Sequence, residues 1–137
     1  MASKKKKSNV VKAKRKEAVA IANFRKGTGQ IRVNKRLVRL DVQSHLNDFI
    51  AEPLMIAGNE AKAFDIDIHV QGGGFMGQAT AVRGAIAKAL VNATKDEKLK
   101  RTFLNYDRLL LVDDVRQVEP KKPLGGKARK KKQKSKR

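Results

Sequence analysis

The sequence of 137 residues contains no cysteine, and this absence excludes several classes of protein. Without thiols there is no disulfide framework, no zinc finger of the usual kind and no thiol catalysis. Long apolar runs are also missing, and none approaches the length that spans a bilayer. The first residues, MASKKKKSNVV, are charged but lack the apolar core of a secretory signal.

Acidic residues are scarce, and the basic ones are concentrated at the two ends of the chain. The 33 Lys and Arg residues against 13 Asp and Glu give a formal net charge of +20. Residues 1–16 contain eight basic groups, residues 121–137 contain ten, and neither segment contains an acid. Charge at this density needs a polyanionic partner, which is RNA, DNA or an anionic membrane. Because both segments are poor in apolar and aromatic anchors, we favour nucleic acid over membrane. A nuclear-localisation signal or a solubility tail is the more ordinary interpretation of such charge runs.

This pattern predicts three parts, which are a basic N-terminal arm, a domain and an extended basic C-terminal tail. We place the arm at residues 1–16, an α+β RNA-binding domain at 17–119 and the tail at 120–137. The tail is too hydrophilic to bury a core, so we expect no fixed structure there without a partner.

The first half of the domain is predicted to contain a β-hairpin and a helix. Weak alternation over 17–24 and 31–33, with glycines between, indicates two paired strands. A second tight turn is expected at 34–36. Asp41 is a plausible N-cap for a helix that Pro53 ends or restarts.

The second half begins with the clearest strand of the sequence. Residues 64–71, FDIDIHVQ, alternate strictly between apolar and polar side chains, which indicates a strand with one buried face. Helices are expected over 78–93 and 95–106, and a last short strand over 108–112. The resulting order, β-β-α-β-α-α-β, predicts an α+β fold with a small sheet and helices on one face.

The segment GGGFMGQA at 72–79 imitates two nucleotide-binding motifs. Its glycines match G-x-G-x-x-G, but the dinucleotide fold needs an apolar central strand, and the strand before it is half polar. In the P-loop frame, Gln78 and Ala79 replace the essential Lys and Ser/Thr. Two interpretations stay open: the glycine amides bind an RNA phosphate, or they only form a tight turn. Small residues of the next helix, such as Gly84, likewise permit either a close RNA backbone or close sheet packing.

No arrangement of side chains indicates catalysis, a cofactor or a metal. His45 and His69 lack a spaced carboxylate cluster around them, so neither is expected to bind metal. Asp65 and Asp67 lie two apart on a strand and are predicted to form a solvated or arginine-paired edge. We therefore expect no enzymatic activity.

Three segments together resemble a known family, the small-subunit ribosomal protein nine family. They are RKEAVAIANFRKGTGQIRVN, FDIDIHVQGGGFMGQATAVRGAIAKAL and DDVRQVEPKKPLGGKARKKKQKSKR. The sequence is more similar to the archaeal and eukaryotic branch than to the bacterial one. The resemblance implies a β-α-β unit with a left-handed crossover, opposite to the usual hand.

The resemblance also implies partners and a location. These are small-subunit rRNA in the head of the subunit, its 3′ major domain, with neighbouring head proteins and P-site tRNA. The protein would act in the cytoplasm within the small subunit, without membrane contact or homo-oligomerisation. A free nucleic-acid-compacting protein with basic tails, binding DNA or RNA, is the alternative.

Site residues can be carried over by position. For tRNA, the resemblance implies contacts from Lys134, Ser135, Lys136 and Arg137. For rRNA, the end of the arm is expected to contribute Arg15 and Lys16, and the domain Gly72, Gly73, Gly74, Gln78 and Arg83. The tail is expected to contribute Lys121, Lys122, Lys127, Arg129, Lys130, Lys131 and Lys132 to the same RNA. Members of the same branch often carry tyrosine where this chain has Lys136, so we expect charge contact there and not stacking.

Overall fold

The computed structural model describes residues 9–38 and 45–135. The predicted N-cap at Asp41 and the predicted tRNA contacts of Lys136 and Arg137 lie outside these ranges, as does the first half of the N-terminal arm, residues 1–8.

Five strands form one mixed sheet in the spatial order β1-β2-β5-β3-β4. The strands are β1 (Val10–Arg15), β2 (Ala18–Lys26), β3 (Ile31–Val33), β4 (Arg36–Leu37) and β5 (Phe64–Gln71). β3 and β5 run parallel, whereas every other neighbouring pair is antiparallel. The chain passes from β3 to β5 through β4 and a helix, which gives a β-α-β connection.

Three α-helices accompany the sheet. They are α1 (His45–Ala57), α2 (Phe75–Thr94) and α3 (Glu97–Tyr106), with short 3₁₀ helices at Gly58–Ala63 and Arg108–Leu110. The predicted α+β class is therefore confirmed. In the ranges that the structure describes, no helix is long and apolar enough to cross a membrane.

The core lies between one face of the sheet and α2. Ile66, Ile68 and Val70 of β5 are buried, as the alternation predicted, whereas Phe64 at the start of the strand is half-buried. The side chains between them face outward or lie half-buried. Ala18, Ala20 and Ala22 of β2 are fully buried and let α2 approach closely. A Cβ at Gly84 of α2 would lie 3.5 Å from the Cβ of Ala13, so this small residue serves sheet packing. Of the two interpretations left open for Gly84, a close RNA backbone or close sheet packing, the structure supports sheet packing.

The predicted hairpin between 17–24 and 31–33 is wrong, because β5 lies between β2 and β3. The connecting segment instead folds around the start of β5. The carboxylate of Asp65 accepts hydrogen bonds from the backbone N–H groups of Thr28 and Gln30 at 2.8 and 3.0 Å. The actual hairpin joins β1 and β2 through a turn at Lys16 and Glu17. The last residues assigned to the arm therefore belong to the sheet.

The predicted tight turn at 34–36 is confirmed. Asn34 and Lys35 have φ of 48° and 68° between β3 and β4. Positive φ at both central residues is the signature of a type I′ hairpin turn.

Two predictions for helical and strand segments are wrong. Pro53 does not end a helix, because α1 continues through it to Ala57. The Pro53 side chain is fully buried, and packing of α1 against α2 offsets the backbone hydrogen bond that proline removes. Residues 108–112 do not form a strand. Asp107 accepts a hydrogen bond from Leu109 N at 2.8 Å, which starts a 3₁₀ turn that buries Leu110.

Candidate nucleic-acid interface

Three loops meet at one end of the sheet. The β1–β2 turn, the glycine loop between β5 and α2, and the β3–β4 turn follow strands that are paired in register. A groove of about 970 Å³ runs between the first two loops. It brings Arg15 and Lys16 together with Gly73 and Gly74, four residues predicted to contact rRNA.

The fold itself requires the first two glycines of the loop. Gly72 and Gly73 have φ of 77° and 66°, in the left-handed region that side chains disfavour. A Cβ at Gly72 would lie 2.5 Å from the carbonyl oxygen of Glu17, and one at Gly73 would lie 3.0 Å from Ala18 N. Both glycines let the loop approach the β1–β2 turn.

Gly74 differs from its neighbours because nothing in the fold requires a glycine there. Its φ is −95°, which any residue adopts, and a Cβ would meet no atom within 4 Å. Gly74 lines the groove at the N-cap of α2, where no side chain caps the helix. The open side of Gly74 therefore leaves room for an approaching ligand.

The N-terminus of α2 faces this room. The first helical bond runs from Gln78 N to Gly74 O at 2.9 Å, and the amides before it lack intrahelical acceptors. Such amides, with the positive end of the helix dipole, favour an anion. The side chain of Gln78 donates to Gly72 O at 3.1 Å, so it holds the loop in shape.

Two exposed lysines supply charge to the groove. Lys16 occupies the β1–β2 turn with φ of 53°, and Lys14 lies on the exposed side of β1. The sequence analysis missed Lys14, although the alternation of the strand could have indicated its exposure. Neither ammonium group has a carboxylate partner within residues 9–38 and 45–135.

Arg15 has a different role from its neighbours. Its Nη1 lies 2.5 Å from Oδ2 of Asp114, and its side chain is only 19% exposed. Arg116 also binds Asp114 through its guanidinium, at 2.6 to 3.0 Å, and through its backbone N–H at 2.9 Å. Hydrogen bonds from Arg116, and then the charges of Arg116 and Arg15, lower the pKa of Asp114 to about 2.

A second ion pair fastens the same segment to α2. Lys88 Nζ donates to Asp113 at 2.6 Å and to Lys12 O at 3.1 Å. The chain then runs along the groove, where Gln117 and Val118 form part of the lining. The root of the C-terminal tail therefore lies beside the glycine loop.

Arg83 does not face this groove. Its guanidinium is buried, lies 2.5 Å from Glu52 and 2.8 Å from Asp107, and stacks over the Phe49 ring at 4.6 Å. Both carboxylates compensate its charge within the domain. We therefore leave Arg83 out of the interface, because reaching RNA would break a buried network.

Comparison with known proteins places the chain in a family. The matching family model is described as ribosomal protein S9/S16 and covers residues 13–137. The small ribosomal subunit protein uS9 of Picrophilus torridus is 46% identical over 122 residues, which cover 89% of this chain and 92% of that protein. The protein of the same name from Methanococcus maripaludis strain C5 is 43% identical over 110 residues, with coverage of 80% and 82%.

The chain belongs to the ribosomal protein S9/S16 family. The resemblance that the sequence motifs carried is thereby confirmed. Members of this family are structural ribosomal proteins, and the chain is accordingly a ribosomal protein and not an enzyme.

The tail of this ribosomal protein contains no helix or strand in its described part, up to residue 135. One antiparallel bridge joins Gly125 and Lys131. Glu119 pairs with Lys122 at 3.5 Å and with Arg129 at 2.8 Å. The other predicted tail residues are exposed and have no carboxylate partner among the described residues: Lys121, Lys127, Lys130, Lys131, Lys132 and Lys134.

The acidic pair on β5 is paired with arginines, as predicted, but it lies on the central strand and not at an edge of the sheet. Arg25 lies 3.8 Å from Asp65 and 3.5 Å from Asp67, and Arg32 lies 3.9 Å from Asp67. Hydrogen bonds from Gln30 and Thr28 are the main cause that lowers the pKa of Asp65. Across the described ranges, no three His, Asp or Glu side chains come together as a metal site.

Proposed function

We propose that this protein is a structural constituent of the small ribosomal subunit and binds small-subunit rRNA through the groove and the tail. In this proposal it sits in the head, on the 3′ major domain, beside other head proteins. The end of its tail contacts P-site tRNA during translation in the cytoplasm. The names of the relatives and the family resemblance support the assignment to the small subunit.

The observation that carries the proposal is the convergence of anion-binding groups in the groove. Lys14 and Lys16 provide cationic charge that exceeds the one carboxylate of the lining, Glu17. The open side of Gly74 exposes the N-terminus of α2. A phosphate of the RNA backbone matches these donors in charge and in its need for hydrogen bonds. Gly72 and Gly73 shape the loop, so only part of the glycine motif is assigned to the ligand.

Exposed apolar side chains adjoin the charged ones. Phe75 is 72% exposed and Met76 is 49% exposed, both at the mouth of the groove. A flat aromatic surface next to lysines is suited to stack an unpaired base while the backbone is held. This combination favours RNA with irregular or single-stranded features over regular duplex DNA.

The tail extends the reach of the domain. The 18 residues after Glu119 span about 60 Å when extended, so the end of the tail can act far from the groove. Its lysines neutralise phosphates and release counterions, which gives strong, salt-dependent and almost sequence-blind binding. Specificity would come from the fixed root of the tail at Asp113 and Asp114. The division into arm, domain and tail belongs to this proposal, with the end of the arm contributing β1.

Sedimentation of the full-length protein in a cell lysate tests the assignment. We expect it to travel with the small subunit and to stay bound at moderate salt. Recovery at the top of the gradient would reject the proposal. An excess of duplex DNA distinguishes the alternative, because it should strip a free DNA-compacting protein and leave a ribosomal protein in place.

A further inference from the structure

The β3–β4 turn places a lysine where the backbone favours glycine. In a type I′ turn both central residues have positive φ, and the preferred pair is Asn-Gly. Asn34 fits this preference, but the second position is Lys35 with φ of 68°. The chain therefore carries a long cationic side chain at a conformational cost that glycine would remove.

Packing and ion pairing within the domain do not explain this lysine. Lys35 and Arg36 are both exposed, and neither has a carboxylate partner in the ranges 9–38 and 45–135. Lys95 makes an instructive contrast, because it is also left-handed, with φ of 58°. It caps the C-terminus of α2, where the negative end of the helix dipole favours a cation. Within residues 9–38 and 45–135, no such structural reason exists for Lys35.

The turn is held rigidly beside the glycine loop. The side chain of Asn34 donates to Val70 O at 3.1 Å and accepts from Val70 N at 2.9 Å. Val70 precedes Gly72 by two residues, so the turn and the loop share one end of the sheet. Three strand spacings separate the β3–β4 turn from the β1–β2 turn, a distance of about 14 Å. Lys35 and Lys16 thus lie on either side of the glycine loop.

We infer that the tip of the β3–β4 hairpin, Lys35 with Arg36, is a second contact for the RNA backbone, separate from the groove. The inference rests on the proposed function, since it assumes that the same RNA occupies the groove. One RNA segment that crosses this end of the sheet then meets both left-handed lysines.

The charges around the hairpin favour an RNA phosphate over an acidic protein surface as the partner of the tip. A shallow groove of about 540 Å³ beside Lys35 contains one carboxylate, Asp67, which Arg25 and Arg32 already pair. The described residues around the tip therefore leave its cationic charge uncompensated. Exposed lysine and arginine on a rigid turn next to a phosphate-binding loop are typical of backbone contacts that position RNA.

The test compares lysines of equal backbone geometry in the full-length protein. The probe is a transcript of the small-subunit rRNA 3′ major domain. Binding is measured at salt concentrations from about 0.05 to about 0.3 M, a range over which counterion release changes the affinity measurably. The variants are K35G, K35R and K95G, with K16A as a variant of the groove. K35G should melt at the same or a higher temperature than the original chain, because it relieves the left-handed backbone.

For K35G we expect affinity at 0.1 M salt to fall about fivefold to eightfold, and the slope of log K against log salt to become shallower by about 0.7 to 0.9. K35R should keep the original affinity, and K95G should change it much less than K35G.

Several outcomes would overturn the inference. If K16A weakens binding while K35G does not, the groove binds RNA and the hairpin does not. Equal losses for K35G and K95G would show only a sequence-blind effect of net charge. Loss of subunit incorporation by K35G without loss of affinity for the bare transcript would assign the hairpin to a protein neighbour. If the unsubstituted chain prefers duplex DNA, the proposed function fails and this inference with it.

Discussion

Arg15 and Asp114 form an ion pair at 2.5 Å that joins the end of β1 to the root of the C-terminal tail. Their backbones also form a parallel bridge, and the Asp114 side chain is only 8% exposed. The pair therefore fixes where the tail leaves the domain, next to the groove. Arg15 was predicted from the sequence to contact rRNA, but Asp114 compensates much of its charge within the domain.

The anchor should respond to acid in a defined pH range. The pKa of Asp114 is lowered from 3.8 to about 2, so its stabilising effect is complete above pH 4 and is lost as pH falls through 2. Carboxyl-carbon NMR should show Asp114 titrating near pH 2, together with a shift of the Arg116 amide. In D114N that amide shift should be absent. A midpoint near the ordinary value of 3.8 would contradict the ion pair.

The buried network around Arg83 should matter for stability and not directly for RNA. R83A leaves Glu52 and Asp107 without their shared partner and should lower the free energy of unfolding by about 3 kcal/mol. R83K keeps the charge but cannot bridge both carboxylates as a guanidinium does, so its loss should be intermediate. Urea unfolding of R83A and R83K measures the two losses of unfolding free energy.

The exposed Arg101, with its i,i+4 partner Glu97 at 3.8 Å, provides the control for Arg83. R101A should change stability by less than about 0.5 kcal/mol. RNA affinity measured on folded R83K should equal that of the original chain. Weaker RNA binding by R83K at full folding would place Arg83 in the interface after all.

Two matched substitutions in the glycine loop distinguish a role in folding from a role in RNA binding. G72S puts a side chain at φ of 77° against Glu17 O and should destabilise the domain by about 1–3 kcal/mol. G74S places a good N-capping residue on α2 in open space, so stability should stay equal or rise by a few tenths of a kcal/mol.

For G74S the affinity for RNA should nevertheless fall about tenfold, because the serine hydroxyl occupies an amide that would otherwise bind phosphate. Fluorescence titration with the same rRNA transcript measures this loss. Unchanged affinity would mean that the amides at this helix start only turn the chain.

The end of the tail should affect tRNA more than assembly. Removing residues 134–137 deletes three basic groups and should weaken P-site tRNA binding by about 1–3 kcal/mol or less, with normal subunit assembly. Replacing Lys130, Lys131 and Lys132 by serine removes the same number of charges. This control should weaken the hold on rRNA at raised salt and spare tRNA affinity. If the deletion blocks assembly and leaves tRNA affinity intact, the two roles are exchanged.

Local patterns in the sequence were sufficient for elements whose burial repeats with a simple period. β5 alternates between apolar and polar residues. In the predicted α2 stripe, Val82, Ile86 and Leu90 are buried as their spacing predicts, whereas Ala93 at its end is half-buried. The helix predicted over 95–106 and the tight turn predicted at 34–36 depend on neighbouring residues only. Such features need no knowledge of what packs against them.

Local patterns could not predict which strands pair, or which structure short apolar segments adopt. Nothing local says that β5, about thirty residues away, inserts between β2 and β3, so that β3 pairs in parallel with β5 and not in a hairpin with β2. The burial of Pro53 and Leu110 likewise depends on packing against α2, which is not adjacent to either segment in the sequence.

The sequence by itself determined that this protein pairs a near-neutral α+β domain with cationic ends and that it binds a polyanion, because net charge and periodicity are properties of the chain. Only the tertiary structure decided which charges are available to that partner. Arg83 and Arg15 pair with carboxylates in the fold, whereas Lys16 and Lys35 have no such partner among the residues that the structure describes. Distance in space, and not position in the chain, determines which charges are compensated.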